Sequence, residues 1–115
     1  MAEAAKPLVW LEGQVRSPPF SKTARLETGF LLRRLQQGEP LGLPASRPMP
    51  NIGSRCHELR VRDRDHYWRI IYRIDKDAIV IVDVFAKKTG KTPARVIENC
   101  KARLAEYDEI ARGKR

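Results

Sequence analysis

The chain has 115 residues, 42% of them hydrophobic, and a formal net charge of +9. That length suffices for one core without disulfides or metal, so a single globular domain over residues 1–115 is expected. The charge points to an anionic partner such as nucleic acid, ribosome or an acidic protein, and the composition excludes a disulfide-stapled or membrane-spanning chain. Cys56 and Cys100 lie far apart with no C-x-x-C spacing, which suggests neither a zinc site nor a redox pair; both read as reduced, small apolar residues. The N-terminal residues lack the apolar core of a signal peptide and no run approaches a membrane span. A cytoplasmic location with no membrane partner is therefore expected.

In chain order, Pro7 to Val15 is β-rich and predicts a first strand, broken by Ser17-Pro18-Pro19. Ser21 is the N-cap candidate of a helix running to about Gln37, with Ala24, Thr28, Leu31 and Leu35 on one face and Gly38 as the residue that ends it. Residues 39–53 contain four prolines and no period, so an irregular loop is expected, pinned to the core by Leu41, Leu43, Met49 and Ile52.

Three strand-like runs follow, Arg55–Arg62, Tyr67–Ile74 and Ala78–Phe85, joined by short polar turns that predict an antiparallel meander. The third run is apolar on both parities and should be covered on both faces. Thr92 is then the cap candidate, and Pro93 the first residue, of a terminal helix with a stripe of Val96, Ile97, Cys100, Leu104, Tyr107 and Ala111, ended by Gly113. The fold class expected is α+β: a small antiparallel-rich sheet in the order β-α-β-β-β-α, with the helices packed on one face.

Six arginines fall between Arg55 and Lys91. A four-residue turn over Asp63–His66 sets Arg60 opposite Arg69, Arg62 opposite Tyr67 and Glu58 opposite Ile71. Leu59, Val61, Trp68, Ile70 and Tyr72 fall on the other side, where His57 meets Tyr72. The first set is expected to form a basic face turned away from the helices and from the Cys100–Leu104 stripe. Either the Arg60 or the Arg69 guanidinium found inside the helix-packed core would end the case for a phosphate site built on that pair. Two arginines directly opposed repel, and either a bound anion or a carboxylate such as Glu58 or Asp83 would relieve that. Planar guanidinium groups match phosphate oxygens. Lys87 and Lys88 follow the last strand at the same sheet end. Asp63, Asp65, Asp75 and Asp77 read as turn residues at opposite ends of the sheet, so no metal site is proposed.

The segments Glu58-Leu59-Arg60, Tyr67 to Arg73 and Phe85 to Pro93, taken in order with the long helix and the Pro-rich loop, resemble the RelE/HigB toxin superfamily, most closely its phage-derived, HigB-like branch. The resemblance covers nearly the whole chain and implies a RelE/ParE toxin-like fold. It also implies a type II toxin that cuts messenger RNA on the ribosome and pairs with a helix-turn-helix antitoxin. Carried over by position, Arg60 and Arg69 match strand arginines that hold the scissile phosphate, and Lys88 matches a basic residue after the last strand. Two departures stand out: Glu58 and Cys56 occupy positions where RelE proper has lysines, and no tyrosine lies between Thr89 and Val96.

RNA cleavage by its own 2′-hydroxyl needs cations, a proton acceptor and a proton donor, and no metal or other cofactor. The expected catalytic set is Arg60, Arg69, Lys88 and, for proton transfer, His66. Expected RNA contacts are Arg62, Arg73, Lys87 and Lys91, with Tyr67 as a stacking platform for an unpaired base. Two alternatives share the fold: a ParE-like, non-enzymatic inhibitor of DNA gyrase, and a catalytically inactive RNA- or ribosome-binding relative.

Overall fold

A computed structural model describes residues 5–88, 90–111 and 113. The elements are β1 (Leu8–Trp10), α1 (Lys22–Gln36), β2 (Ser46–Pro48), β3 (Cys56–Asp63), β4 (His66–Ile74), β5 (Ile79–Lys87) and α2 (Ala94–Ala111). The strands form one sheet in the order β1-β5-β4-β3-β2, antiparallel except for the β1–β5 pair. The α+β class and antiparallel-rich sheet are as expected. The Pro-rich loop contributes an unexpected edge strand, β2, whose three residues pair with β3. An edge is the place where a strand tolerates proline, because one side of its backbone needs no partner. Of the four apolar residues expected to pin this loop, Met49 and Ile52 are buried, whereas Leu43 is exposed.

The β3–β4 register is the expected one: His57 opposes Tyr72, Leu59 opposes Ile70, Arg60 opposes Arg69 and Arg62 opposes Tyr67. The ladder continues one pair further, Asp63 with His66, so the turn is only Arg64-Asp65. Arg64 adopts a positive φ of 57°, as the first residue of a tight hairpin turn can require.

The expectation that both helices share one face is corrected. Ala24, Leu31, Leu32 and Leu35 of α1 pack on Leu59, Val61, Trp68, Ile70, Tyr72, Ile79 and Ile81. Cys100 and Leu104 of α2 pack on the other side, on Cys56, Ile71, Val80 and Val82. The cause is β5 itself. Ile79 and Ile81 require cover on one face, Val80 and Val82 on the other, and one helix layer can bury only one of those sets. Fixed at this point in the fold, α2 and the arginines share a side of the sheet.

Local chemistry sets the ends of α1. Ser21 accepts a hydrogen bond from the Ala24 amide at 3.1 Å, and Gly38 follows the helix with φ +87°. The α2 start differs from expectation. The Pro93 carbonyl accepts from the Val96 and Ile97 amides, while the Thr92 hydroxyl turns away and donates to Glu58 at 2.6 Å. Near the end of β1, Gly13 is required by close approach: a Cβ there would lie 2.6 Å from Val84 Cβ, at a φ of +89°.

Asp63 ties α1 to the hairpin. Its Oδ2 accepts from the Ser21 amide at 2.9 Å and from the Trp68 indole at 2.8 Å. The Ser21 amide, followed by the indole, holds its carboxyl below the usual value of 3.8. A carboxyl depressed in the folded state adds stability above its unfolded value, and that contribution is lost as pH falls through the folded one. Asp63→Asn should therefore melt several degrees below the parent at pH 7, with the difference shrinking below about pH 4. Melting curves across that range check it; a difference that stays constant down to low pH would contradict it.

Candidate nucleic-acid interface on the α2 side of the sheet

Beyond the row of Cys56, Arg73 and Val80, strand alternation and cross-strand pairing place three more rows of side chains on the α2 side. Arg47, Glu58, Ile71 and Asp83 form one, Arg60, Arg69 and Phe85 the next, and Arg62, Tyr67 and Lys87 the last, nearest the β3–β4 turn. Helix α2 covers the apolar part of this face and stops short of the basic part. Arg62 is exposed, while Arg47, Arg60, Tyr67, Phe85 and Lys87 are partly exposed. The result is a half-face in solvent: guanidinium groups around one phenol ring, beside the segment that leads into α2. Arg60 and Arg62 flank that ring, with their guanidinium carbons 5.2 and 5.6 Å from its centroid.

Arg69 lies beneath this surface and is fully buried. None of its three side-chain nitrogens has a hydrogen-bond partner among the described residues, nor does Nε of Arg60. Its nearest counter-charge is Glu58 Oε2, at 3.8 Å. Glu58 is likewise fully buried, accepting from Arg47 Nε at 3.1 Å and from the Thr92 hydroxyl. Burial pulls the Arg69 guanidinium below its ordinary value, the Glu58 carboxylate opposes that, and Arg60 and Arg47 add to it. Thus Arg60 and Arg69 do share a face, but the face is not opposite the Cys100–Leu104 stripe. In this conformation Arg69 is closed to a phosphate. The carboxylate anticipated as one relief of arginine repulsion is present as Glu58; Asp83 instead lies 3.5 Å from Arg103 of α2.

The remaining expected site residues divide by position. Arg73 is committed elsewhere: Nε and Nη2 donate to Asp75 at 2.7 and 2.9 Å, and Nη1 and Nη2 donate to Asp108 of α2 at 3.0 and 2.7 Å. The Asp108 bonds, offset in part by burial and reinforced by Asp75, raise its pKa further. Its expected role as an RNA contact is corrected to a clamp between sheet and helix.

His66 was expected near the basic face. By alternation it shares the opposite side with Trp68, against which its ring stands edge-on at 5.3 Å, and its Nδ1 lies 3.2 Å from Asp65 Oδ1. The shortened turn is the reason: His66 belongs to the ladder instead of the loop, so parity decides its side. Lys88 Nζ reaches Asp65 Oδ2 at 3.7 Å, which puts it at the hairpin tip beside the last row. The hydrogen bond from His66, with Lys88 nearby, lowers the Asp65 carboxyl. Lys91 lines a groove of about 580 Å³ with Arg47, Asn51 and Thr92, at the β2 margin of the interface.

Sequence reasoning missed Arg47 and the Thr92 link. Arg47 sits in a Pro-rich segment with no strand period, and its place on the face exists only because β2 pairs with β3. The cysteines are both free and buried, and burial pushes the Cys100 thiol up to about 12. They act as apolar filling.

The architecture, a small α+β one whose half-covered sheet presents a basic face, is consistent with a small toxin-like fold. A family model described as phage-derived protein Gp49-like matches residues 19–105. The chain belongs to that family, a toxin-like one related to the RelE/HigB type II toxins. No curated protein matches it. An antitoxin partner follows from the family in general. Among the described residues, no helix is long and apolar enough to cross a membrane.

Proposed function

We propose that this chain is the toxin of a type II toxin–antitoxin pair and a metal-independent endoribonuclease. In this reading it acts in the cytoplasm on messenger RNA at the ribosome, and a helix-turn-helix antitoxin restrains it. The observation that carries the reading is the uncovered basic half-face around Tyr67. An extended single strand laid on it meets Arg60, Arg62 and Lys87 along its phosphates, while the phenol ring offers a base a stacking surface. Arg47, Lys88 and Lys91 extend the positive margin on both sides.

Cleavage by the 2′-hydroxyl builds negative charge on the phosphorane, which fixed guanidinium groups stabilise. Arg60 is the cation best placed to meet it. Arg69 lies buried beneath this surface and is closed to the phosphate in this conformation. Tyr67, between two guanidinium groups, is the proton carrier that this face supplies in place of His66. A second reading is supported by the same geometry: no imidazole stands on this face among the described residues, which favours an RNA-binding relative that blocks translation without cutting.

Induced expression should stop translation, leave transcripts with new ends, and leave DNA supercoiling normal. Intact transcripts with arrested translation would select the second reading. Intact transcripts with DNA breaks would select a ParE-like gyrase inhibitor. Affinity for single-stranded RNA should fall with salt, with a log–log slope of about −0.7 per phosphate neutralised. Arg62→Ala removes an exposed cation without disturbing the core, so it should make that slope shallower by about 0.7. An unchanged slope would place Arg62 outside the interface.

A further inference from the structure

The β3–β4 hairpin turns on Arg64-Asp65, and Arg64 holds its positive φ of 57° at the first position of that turn. A two-residue turn that opens on a positive φ favours glycine, because a Cβ in this backbone region crowds the following carbonyl oxygen. Arg55 is the other non-glycine residue with a positive φ among the described residues. Its guanidinium is used within the fold, on the Ile74 carbonyl at 3.0 Å and on Asp75 at 3.3 Å. Arg64, in contrast, is exposed, and its side chain has no hydrogen bond or ion pair among the described residues. Strain of this kind persists where something favours the residue in spite of its backbone, and nothing inside the chain favours arginine here.

Charge around the turn is a second, independent observation. Arg62 and Lys87 stand just below it on the α2 side, and Lys88 reaches the turn itself, 3.7 Å from Asp65. Asp65 is exposed, whereas Asp63 is buried and tied to the Ser21 amide and the Trp68 indole. Cations therefore outnumber solvent-facing carboxylates at this tip. The tip is also the outermost part of its end of the sheet. Strand β5 stops pairing at Lys87, opposite Tyr67, while β3 and β4 continue through Asp63–His66 to the turn beyond.

A convex basic tip and a flat arginine face suit different anions. A single strand lies along the face, where the Tyr67 ring meets a base. The tip suits a concave anion. Double-helical RNA presents one, a deep and narrow major groove with phosphates along both edges. An acidic protein surface has no such paired rows of fixed charge. We propose that the hairpin tip is a second nucleic-acid site, which sets Arg64, with Lys88 and Arg62 beside it, against the phosphates of a double-helical RNA. The proposal rests on the reading of this chain as an RNA-binding protein, and it adds a base-paired segment to the single strand that the reading calls for. Contact there is with charge and shape, so it carries no sequence preference. Glycine would relieve the turn and forfeit its outermost cation, which accounts for the arginine.

The test sets fold against site, because Arg64→Gly should improve the first and impair the second. In the full chain it should melt a few degrees above the parent, since glycine accepts the positive φ. It should bind an RNA hairpin of about 16 base pairs about fivefold more weakly at physiological salt, with a salt dependence shallower by one phosphate contact. Arg64→Lys keeps both the charge and the strained backbone, so it should retain most of that affinity and the parent's melting temperature. Both variants should bind a single-stranded RNA of mixed sequence as the parent does, whereas Arg62→Ala should weaken that binding. An Arg64→Gly protein with unchanged duplex affinity, with an equal loss for single strands, or with a melting temperature at or below the parent's would each overturn the proposal. So would a polyglutamate chain that displaces the RNA hairpin from the parent but not from Arg64→Gly, which would assign the tip to an acidic protein. A parent that binds single strands but no duplex sinks the tip site and spares the reading of the face; one that binds neither sinks both.

Discussion

Arg69→Ala is expected to destabilise the protein by about 3 kcal/mol or more, because removing one member of a buried ion pair leaves the other charge buried. Glu58 would keep Arg47 and the Thr92 hydroxyl, and those two partners set the estimate at the lower end for a broken buried pair. For a domain of this size that corresponds to a fall of about 10 °C or more in melting temperature. Growth inhibition should disappear with it. The informative comparison is the double variant Arg69→Met with Glu58→Gln, which removes both charges and retains most of the buried volume. Replacing a buried pair by neutral groups of similar size is often close to neutral in stability, so the double variant should melt near the parent. If it regains stability and remains harmless, Arg69 serves the reaction as well as the fold. Should toxicity return with stability, Arg69 is structural only, and the cationic role rests on Arg60 and its neighbours. A single Arg69→Ala variant that melts within a degree or two of the parent would contradict the buried pair itself.

Arg73→Ala is expected to cost about 3–5 kcal/mol, because it breaks charge-assisted bonds to two carboxylates at once. The damage should be local to the junction of β4 and α2. Amide hydrogen exchange ought to show α2 losing protection while the α1 side of the sheet keeps its own. The RNA affinity of the folded fraction should be unchanged, since Arg73 lies on the covered part of the face and is spent on Asp75 and Asp108. Weaker RNA binding by a fully folded Arg73→Ala protein would return Arg73 to the interface. Asp108→Asn should reproduce part of the same loss, because it weakens the clamp from the other side.

These expectations differ from what strand parity alone suggests, and the reason is specific. Parity says which residues share a face, and here it is right: Arg60, Arg62, Tyr67 and Arg69 fall together. It does not say what covers that face. Arg69, flanked by core residues Trp68 and Ile70 on the opposite parity, looks removable at no cost to packing until α2 and the Thr92 segment are seen on its own side. His66 is misplaced by a smaller effect. A turn two residues shorter than expected converts a loop histidine into a strand histidine, and a strand residue has no choice of side.

By itself the sequence determined β1, the two helices and the antiparallel meander of β3, β4 and β5. Ser21 and Gly38 bound the first helix through a side-chain cap and a left-handed backbone. Polar turns of a few residues left three neighbouring strands no arrangement but a meander. The alternation of Leu59, Val61, Trp68 and Ile70 set the register, since a slip by one residue would turn that apolar set toward the opposite face. The excess of positive charge and its concentration on one strand parity were legible for the same reason: both are properties of spacing along the chain.

Only the tertiary structure decided which helix lies on which face, where α2 stops, and which arginines are spent internally. Those outcomes depend on contacts between residues far apart in sequence. Glu58 meets Thr92, Arg73 meets Asp108, and Arg47 reaches Glu58 through an edge strand that has no sequence period. A carboxylate within reach turns a guanidinium from a receptor for phosphate into a structural tie, and no local pattern records that distance.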